Sequence, residues 1–285
     1  MTTPRVAISI ITFERSELLQ LCLESLEKAL INHPIPIYII SQDPSKNDEI
    51  LFEKFQTIVT EVIRVPSSEN NVEDLINRNR IKAWEKVLIE EDFEFCICLE
   101  NDVEVSEDFV EFTMQVLTQN MYSKDFMGIN YGSFEITSEA VSYSNLRYGI
   151  HGPASLISKQ TYLKFGIKRL SKLKGKIAWD SWVEPINKIG FMATSNIARY
   201  RDNGHNGTHA SIVQNHSYFH KLAESFKQSY GIAAQSYKLK NISHSWRNDC
   251  QIYASKDNWK YRTRWLLIRS YQYAILYSRI LMGQF

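Results

Sequence analysis

The sequence predicts an α/β fold with a mostly parallel central sheet flanked by helices. Three observations predict it. Short apolar runs alternate with longer stretches whose apolar residues recur at helical spacing. The runs are continuous rather than alternating apolar with polar, so they read as strands buried on both faces. The first, second and fourth of these strands end in polar clusters, just after Thr12, Ser41 and Leu99. Ligands of open parallel sheets bind beyond the carboxyl ends of the strands, so the clusters point to one site.

Val6 to Thr12 is the first strand. Ser16 is placed to cap a helix beginning at Glu17, in which Leu18, Leu19, Cys22, Leu23, Leu26 and Leu30 recur at helical spacing. Ile37 to Ser41 is a second buried strand, ended by Gln42-Asp43-Pro44-Ser45. A helix around Asp48 to Phe55, a strand around Ile58 to Val65 and a helix from Val72 to Ile89 follow. Phe93 to Leu99 is the next strand, ended by Glu100-Asn101-Asp102. Ser106 is placed to cap the helix after it, with Glu107 and Asp108 in a first turn where the helix dipole favours acids. The second half is less regular. Its loop signals at Gly149 to Pro153, Gly166, Lys174-Gly175 and Asp202 to Gly207 read as an extension of the same sheet with long loops.

Composition narrows the function classes. Lys and Arg total 33 against 32 Asp and Glu, a net charge of +1, so the chain lacks the basic excess of a protein that wraps nucleic acid. An anionic partner must be held by a local site. Four cysteines are present; Cys96 and Cys98 share one face of a strand and read as small buried hydrophobes rather than half of a zinc site. The expectation is a reducing, cytoplasmic setting. The opening MTTPRVAISIITF runs directly into a strand pattern instead of a signal peptide, and no uncharged apolar stretch reaches the roughly 18 residues of a membrane span.

Three clusters carry chemistry. In residues 98 to 109, CLENDVEVSEDF, Glu100 and Asp102 flank Asn101 at the end of a buried strand. Hard divalent cations take oxygen ligands, so acids there suit Mg2+ or Mn2+ bridging a diphosphate; the bland reading is a solvated turn before a helix. In residues 178 to 185, AWDSWVEP, a carboxylate lies between two tryptophans. Aromatic faces stack on sugar rings, and a partly desolvated carboxylate has a raised pKa suited to a general base; alternatively Trp179 and Trp182 are core and Asp180 caps a helix. In residues 199 to 209, RYRDNGHNGTH, the paired glycines and flanking His205 and His209 suggest a tight exposed loop.

These motifs resemble those of inverting GT-A glycosyltransferases of the family 2 type, from residue 6 to about 220. VAISIITFER, residues 6 to 15, looks like the family's opening strand and its Thr-aromatic-x-Arg turn. IISQDPS, residues 39 to 45, looks like the second strand, and NRNRIKA, residues 77 to 83, is similar to an Arg-Asn-x-Gly-Ile segment with Arg80 in the glycine place. Residues 99 to 109 resemble the acidic metal motif, with Glu in place of its usual first Asp. The Trp-Asp-x-Trp segment is similar to that of metal-dependent N-acetylglucosaminyltransferases. The resemblance implies that Thr12, Glu14 and Arg15 line a nucleotide pocket, with Asp43 on base or ribose. It implies Arg78 or Arg80 on the diphosphate, whose oxygens suit the guanidinium fork, with Glu100 and Asn101 beside the donor. Asp102, Glu100 and His209 or His205 would hold Mn2+ or Mg2+. Asp180 would be the base, with Glu184 as its substitute, and Trp179, Trp182 and Gly152 would face the acceptor.

A single domain, 1–220, then divides into a donor-binding half, about 1–110, and an acceptor-facing half, about 111–220. A helical extension, 221–285, follows. In its tail Arg262, Arg269, Gln272 and Arg279 form one stripe among apolar residues. That helix reads either as an interfacial helix at the inner face of a membrane, near a lipid-linked glycan acceptor, or as one packed on its own domain or a homodimer partner. The expected activity is sugar transfer from a nucleotide sugar, by default a UDP-sugar, in bacterial capsule, lipopolysaccharide or other surface glycan synthesis. A non-catalytic nucleotide- or glycan-binding module is the alternative. A sugar nucleotidyltransferase fits less well, because Phe-Glu-Arg-Ser follows the first strand where a Gly-rich phosphate loop would stand. No Gly-x-Gly-x-x-Gly, P-loop or Gly-x-Ser-x-Gly is present.

Overall fold

The computed structural model describes residues 3–13, 15–66, 72–131, 143–146, 153–166, 190–195 and 199–203. In chain order these form β1 (Val6–Phe13), α1 (Ser16–Ala29), β2 (Ile37–Gln42), α2 (Lys46–Lys54), β3 (Val59–Val65) and α3 (Val72–Trp84), which runs on as a π-helical turn, Glu85–Glu90. Then come β4 (Phe95–Glu100), β5 (Val103–Val105), α4 (Phe109–Asn120), β6 (Phe126–Asn130), β7 (Tyr143–Leu146), β8 (Ala154–Ser158) and α5 (Lys159–Thr161). A π-helical turn, Tyr162–Gly166, continues α5, and β9 (Phe191–Ser195) and β10 (Tyr200–Asp202) complete the described elements. The expected C-terminal extension, 221–285, lies outside the described residues.

The central sheet is mostly parallel, as expected. Among the described residues it has eight strands in the order β3-β2-β1-β4-β8-β6-β9-β7. β3, β2, β1 and β4 pair in parallel; β8 is antiparallel to both β4 and β6, and β7 to β9, while β6 and β9 pair in parallel. Six strands therefore run one way, and their carboxyl ends share one edge. The second half of the chain does extend the first half's sheet.

Period-two alternation sorts the strand side chains into two cores. Val6, Ile8 and Ile10 of β1 join Leu19, Cys22, Leu23 and Leu26 of α1 and Phe109, Phe112 and Val116 of α4 in one cluster. Ala7 and Cys96 face the opposite way, with Trp84, Val87, Leu88 and Tyr162. Cys22, Cys96 and Cys98 are free, buried thiols. Burial pushes all three pKa values up, Cys22 further raised by the charge of Asp102, so they behave as hydrophobes.

Two helix starts differ from expectation. α1 begins at Ser16, and its N-cap is Arg15 in the left-handed region, φ 63 and ψ 57, with no side-chain cap bond. The Ser16 hydroxyl instead donates to Asp48 Oδ1 at 2.8 Å, linking α1 to α2. α4 begins at Phe109, after Asp108, so Glu107 and Asp108 precede its first turn. The Ser106 hydroxyl donates to Asp108 Oδ1 at 2.6 Å rather than capping the helix. By contrast α2 carries a complete capping box, Ser45 with Asp48.

Candidate functional site

The carboxyl edge of the sheet is assembled by β4 turning over β1. The Asn101 backbone N–H donates to Ile11 O at 3.0 Å, and its side-chain amide donates to Thr12 Oγ1 at 3.1 Å. On the other side the Glu100 N–H donates to Pro153 O at 3.0 Å. The chain then forms a small antiparallel ribbon, β5 with β10, in which Asp202 lies opposite Val103. The Asn203 N–H donates to the Asp102 carbonyl at 2.8 Å, so the acidic turn is held between β1, residue 153 and residue 203.

Each acid of the turn meets a guanidinium. Arg80 Nη2 of α3 donates to Glu100 Oε1 at 2.7 Å; the Arg80 side chain is 0% exposed and that of Glu100 31%. Arg15 Nη1 donates to Asp102 Oδ2 at 3.3 Å, with side chains 36% and 13% exposed. A charge as deeply buried as that of Arg80 requires a partner, and Glu100 is one. A buried amide pair lies at the neighbouring strand end, where Asn79 Nδ2 donates to Gln42 Oε1 at 2.8 Å. Asp43 follows, exposed, with φ 42, its N–H donating to Val65 O at 3.1 Å.

The expected site residues differ in exposure. Thr12 is 2% exposed and Asn101 7%, bonded to each other at the strand ends. Arg80 is enclosed beneath Glu100, whereas Arg78 of the same helix is exposed. Arg15, Asp43, Arg78, Glu100 and Asp102 retain some exposure along the carboxyl edge. Arg199 to Asp202 is not loop surface. Arg199 is 0% exposed, its Nε 3.0 Å from Asp108 Oδ2 and its guanidinium 4.6 Å from the Phe112 ring centroid, and Tyr200 to Asp202 is β10. Glu14, Gly152, Trp179, Asp180, Trp182, Glu184, His205 and His209 lie outside the described residues.

The Gln42–Asn79 pair and the Arg15–Asp102 contact have no local signature in the sequence. Gln42 and Asn79 sit beside residues already singled out, yet nothing local marks them as partners. Arg15 and Asp102 are 87 positions apart and meet only through the β1–β4 pairing.

The donor set suits a divalent cation in part. Glu100 and Asp102 offer hard carboxylate oxygens, each already paired with a guanidinium. Among the described residues no three His, Cys, Asp or Glu side chains gather into a cage, so further ligands would have to come from the diphosphate or from other residues. No described helix is long and apolar enough to cross a membrane.

No protein-family model matches the sequence, and the curated proteins yield no match. Solved structures give partial matches. Residues 1–349 of S. aureus TarS give a TM-score of 0.49 at 8% identity, covering 79% of this chain and 70% of that one. The same S. aureus protein in complex with UDP gives 0.48 at 10% identity, covering 69% of this chain and 59% of that one. The mannosyltransferase PcManGT from Pyrobaculum calidifontis, in complex with GDP-Man and Mn2+, gives 0.49 at 12% identity, covering 100% and 89%.

Proposed function

We propose that this chain is an inverting glycosyltransferase, moving one hexose-type sugar from a nucleotide sugar to a glycan acceptor. One observation supports this most: Glu100 and Asp102, each paired with an arginine, stand at the carboxyl edge of a mostly parallel sheet, where such folds bind ligands. Arg78 and Arg15 are the cationic groups for the diphosphate, and Asp43 stands at the next strand end for base or ribose. A bound Mn2+ or Mg2+ would be held by Asp102, with Glu100 beside it and His209 or His205 as further donors, and would neutralise charge on the leaving diphosphate. Asn203 sits at the Asp102 carbonyl, and His205 is two residues further along the chain.

In this reading Asp180 takes the proton of the acceptor hydroxyl, with Glu184 as its substitute, while Trp179, Trp182 and Gly152 face the acceptor. The acceptor oxygen forms its bond to the sugar's anomeric carbon as the bond from that carbon to the phosphate oxygen breaks. The nucleoside diphosphate departs and the anomeric configuration inverts.

The test is a donor screen, measuring nucleotide release from UDP- and GDP-sugars with Mn2+ and a glycan acceptor. Asp180→Asn should lower turnover by about 10²–10⁴-fold while donor binding persists. Full transfer by that variant would remove Asp180 as base. Nucleotide binding without turnover on any donor would favour a binding module, and a fully active Asp102→Asn would sink the whole reading.

A further inference from the structure

The two acid–guanidinium pairs of the edge are built differently. Arg80 is fixed: it belongs to a helix, is fully enclosed and holds Glu100 at 2.7 Å. Arg15 is loosely held: it stands on a turn, is 36% exposed and reaches Asp102 at 3.3 Å. Its backbone also adopts φ 63 and ψ 57, a region where a glycine would rest more easily. The turn therefore places an arginine where its own geometry favours a residue without a side chain. What the arginine adds is a cation beside Asp102.

We propose that Arg15 is the exchangeable counter-ion of Asp102. With no nucleotide bound, its guanidinium neutralises that carboxylate. When a divalent cation arrives together with a diphosphate, the guanidinium leaves Asp102 for the phosphate oxygens. The inference rests on the nucleotide-sugar reading above. Its physical basis is charge. A divalent cation and a guanidinium on one carboxylate repel each other, so the cation alone must compete with Arg15. A diphosphate supplies enough negative charge for both, and bidentate phosphate oxygens suit the guanidinium better than one carboxylate oxygen at 3.3 Å. Cation and nucleotide then each raise the affinity for the other, by the same factor.

The experiment titrates the full chain with Mn2+ and follows free Mn2+ by electron paramagnetic resonance, without nucleotide and with UDP or GDP. Arg15→Gln should bind Mn2+ alone on the order of tenfold more tightly than the parent chain, and the gain on adding nucleotide should shrink by a similar factor. Arg15→Gly should do the same while suiting the left-handed turn, so a poorly folded glutamine variant would not decide the matter. Arg5→Gln, whose ion pair with Asp92 lies by the amino ends of β1 and β4, should leave both isotherms unchanged. Equal Mn2+ affinity of the Arg15 variants and the parent without nucleotide would overturn the inference alone. Failure of every protein to bind Mn2+ even with UDP or GDP would instead overturn the nucleotide-sugar reading, and the inference with it.

Discussion

Arg80, like Arg199, is an arginine with no exposed surface. A wholly enclosed guanidinium is tolerable only with its charge matched, and Glu100 supplies that match at 2.7 Å. Removing either partner alone leaves a buried charge or an empty place among packed groups. Arg80→Met and Glu100→Gln should each lower stability by about 3 kcal/mol, whereas the double variant should recover much of the loss. Urea unfolding of the four proteins checks this; additive losses would mean that the pair is not a coupled unit. NRNRIKA marks Arg80 as a candidate, but its orientation is not written there. One residue of α3 decides whether a guanidinium faces solvent, as Arg78 does, or the sheet.

Individual elements owe their limits to short-range chemistry. α2 starts just after Ser45, its N-cap, because that hydroxyl accepts from the Asp48 N–H while Asp48 Oδ2 accepts from the Ser45 N–H. Ser45→Ala should cost about 1 kcal/mol, read as a lower urea midpoint with unchanged slope. β6 is constrained by close approach. A Cβ on Gly128 would lie 2.0 Å from the Leu156 carbonyl oxygen of β8. Gly128→Ala should therefore destabilise by about 1–3 kcal/mol or more, since backbone cannot yield as a flexible side chain can. Thermal unfolding would show it, and an unchanged midpoint would mean that β6 and β8 separate at little cost. β1, β2 and β4 were readable to within two residues, because buried parallel strands are continuous apolar runs, whereas the short β5 was not, since Val103–Val105 becomes a strand only by pairing with β10. The caps at Ser16 and Ser106 were not readable, because each hydroxyl found a nearby carboxylate instead of the helix backbone.

At the scale of the whole molecule, two cores on either side of the sheet enclose groups that must stay neutral. Burial raises the thiols of Cys22, Cys96 and Cys98 above their ordinary value of 9.0 and the Tyr131 hydroxyl above 10.0. The sign follows from linkage. The unfolded chain loses these protons near the ordinary values while the folded chain keeps them, so stability present below pH 9 falls as pH rises beyond 9 to 10. A pH series of urea midpoints from 7 to 11 should decline in that window, and Tyr131→Phe should flatten the part above 10. A flat parent curve would contradict the burial described here.

The order of apolar runs and helical stripes, read from the chain alone, determined the α/β class, the parallel first half and the polar strand ends at which a site should lie. These are local or periodic properties, carried by residues within one or two turns of each other. Tertiary structure alone decided which groups share that edge: Arg15 with Asp102, Arg80 with Glu100, Asn101 with Thr12, and Asn203 with the Asp102 backbone. Such contacts join positions from 20 to more than 80 residues apart, and only strand pairing and helix rotation bring them together.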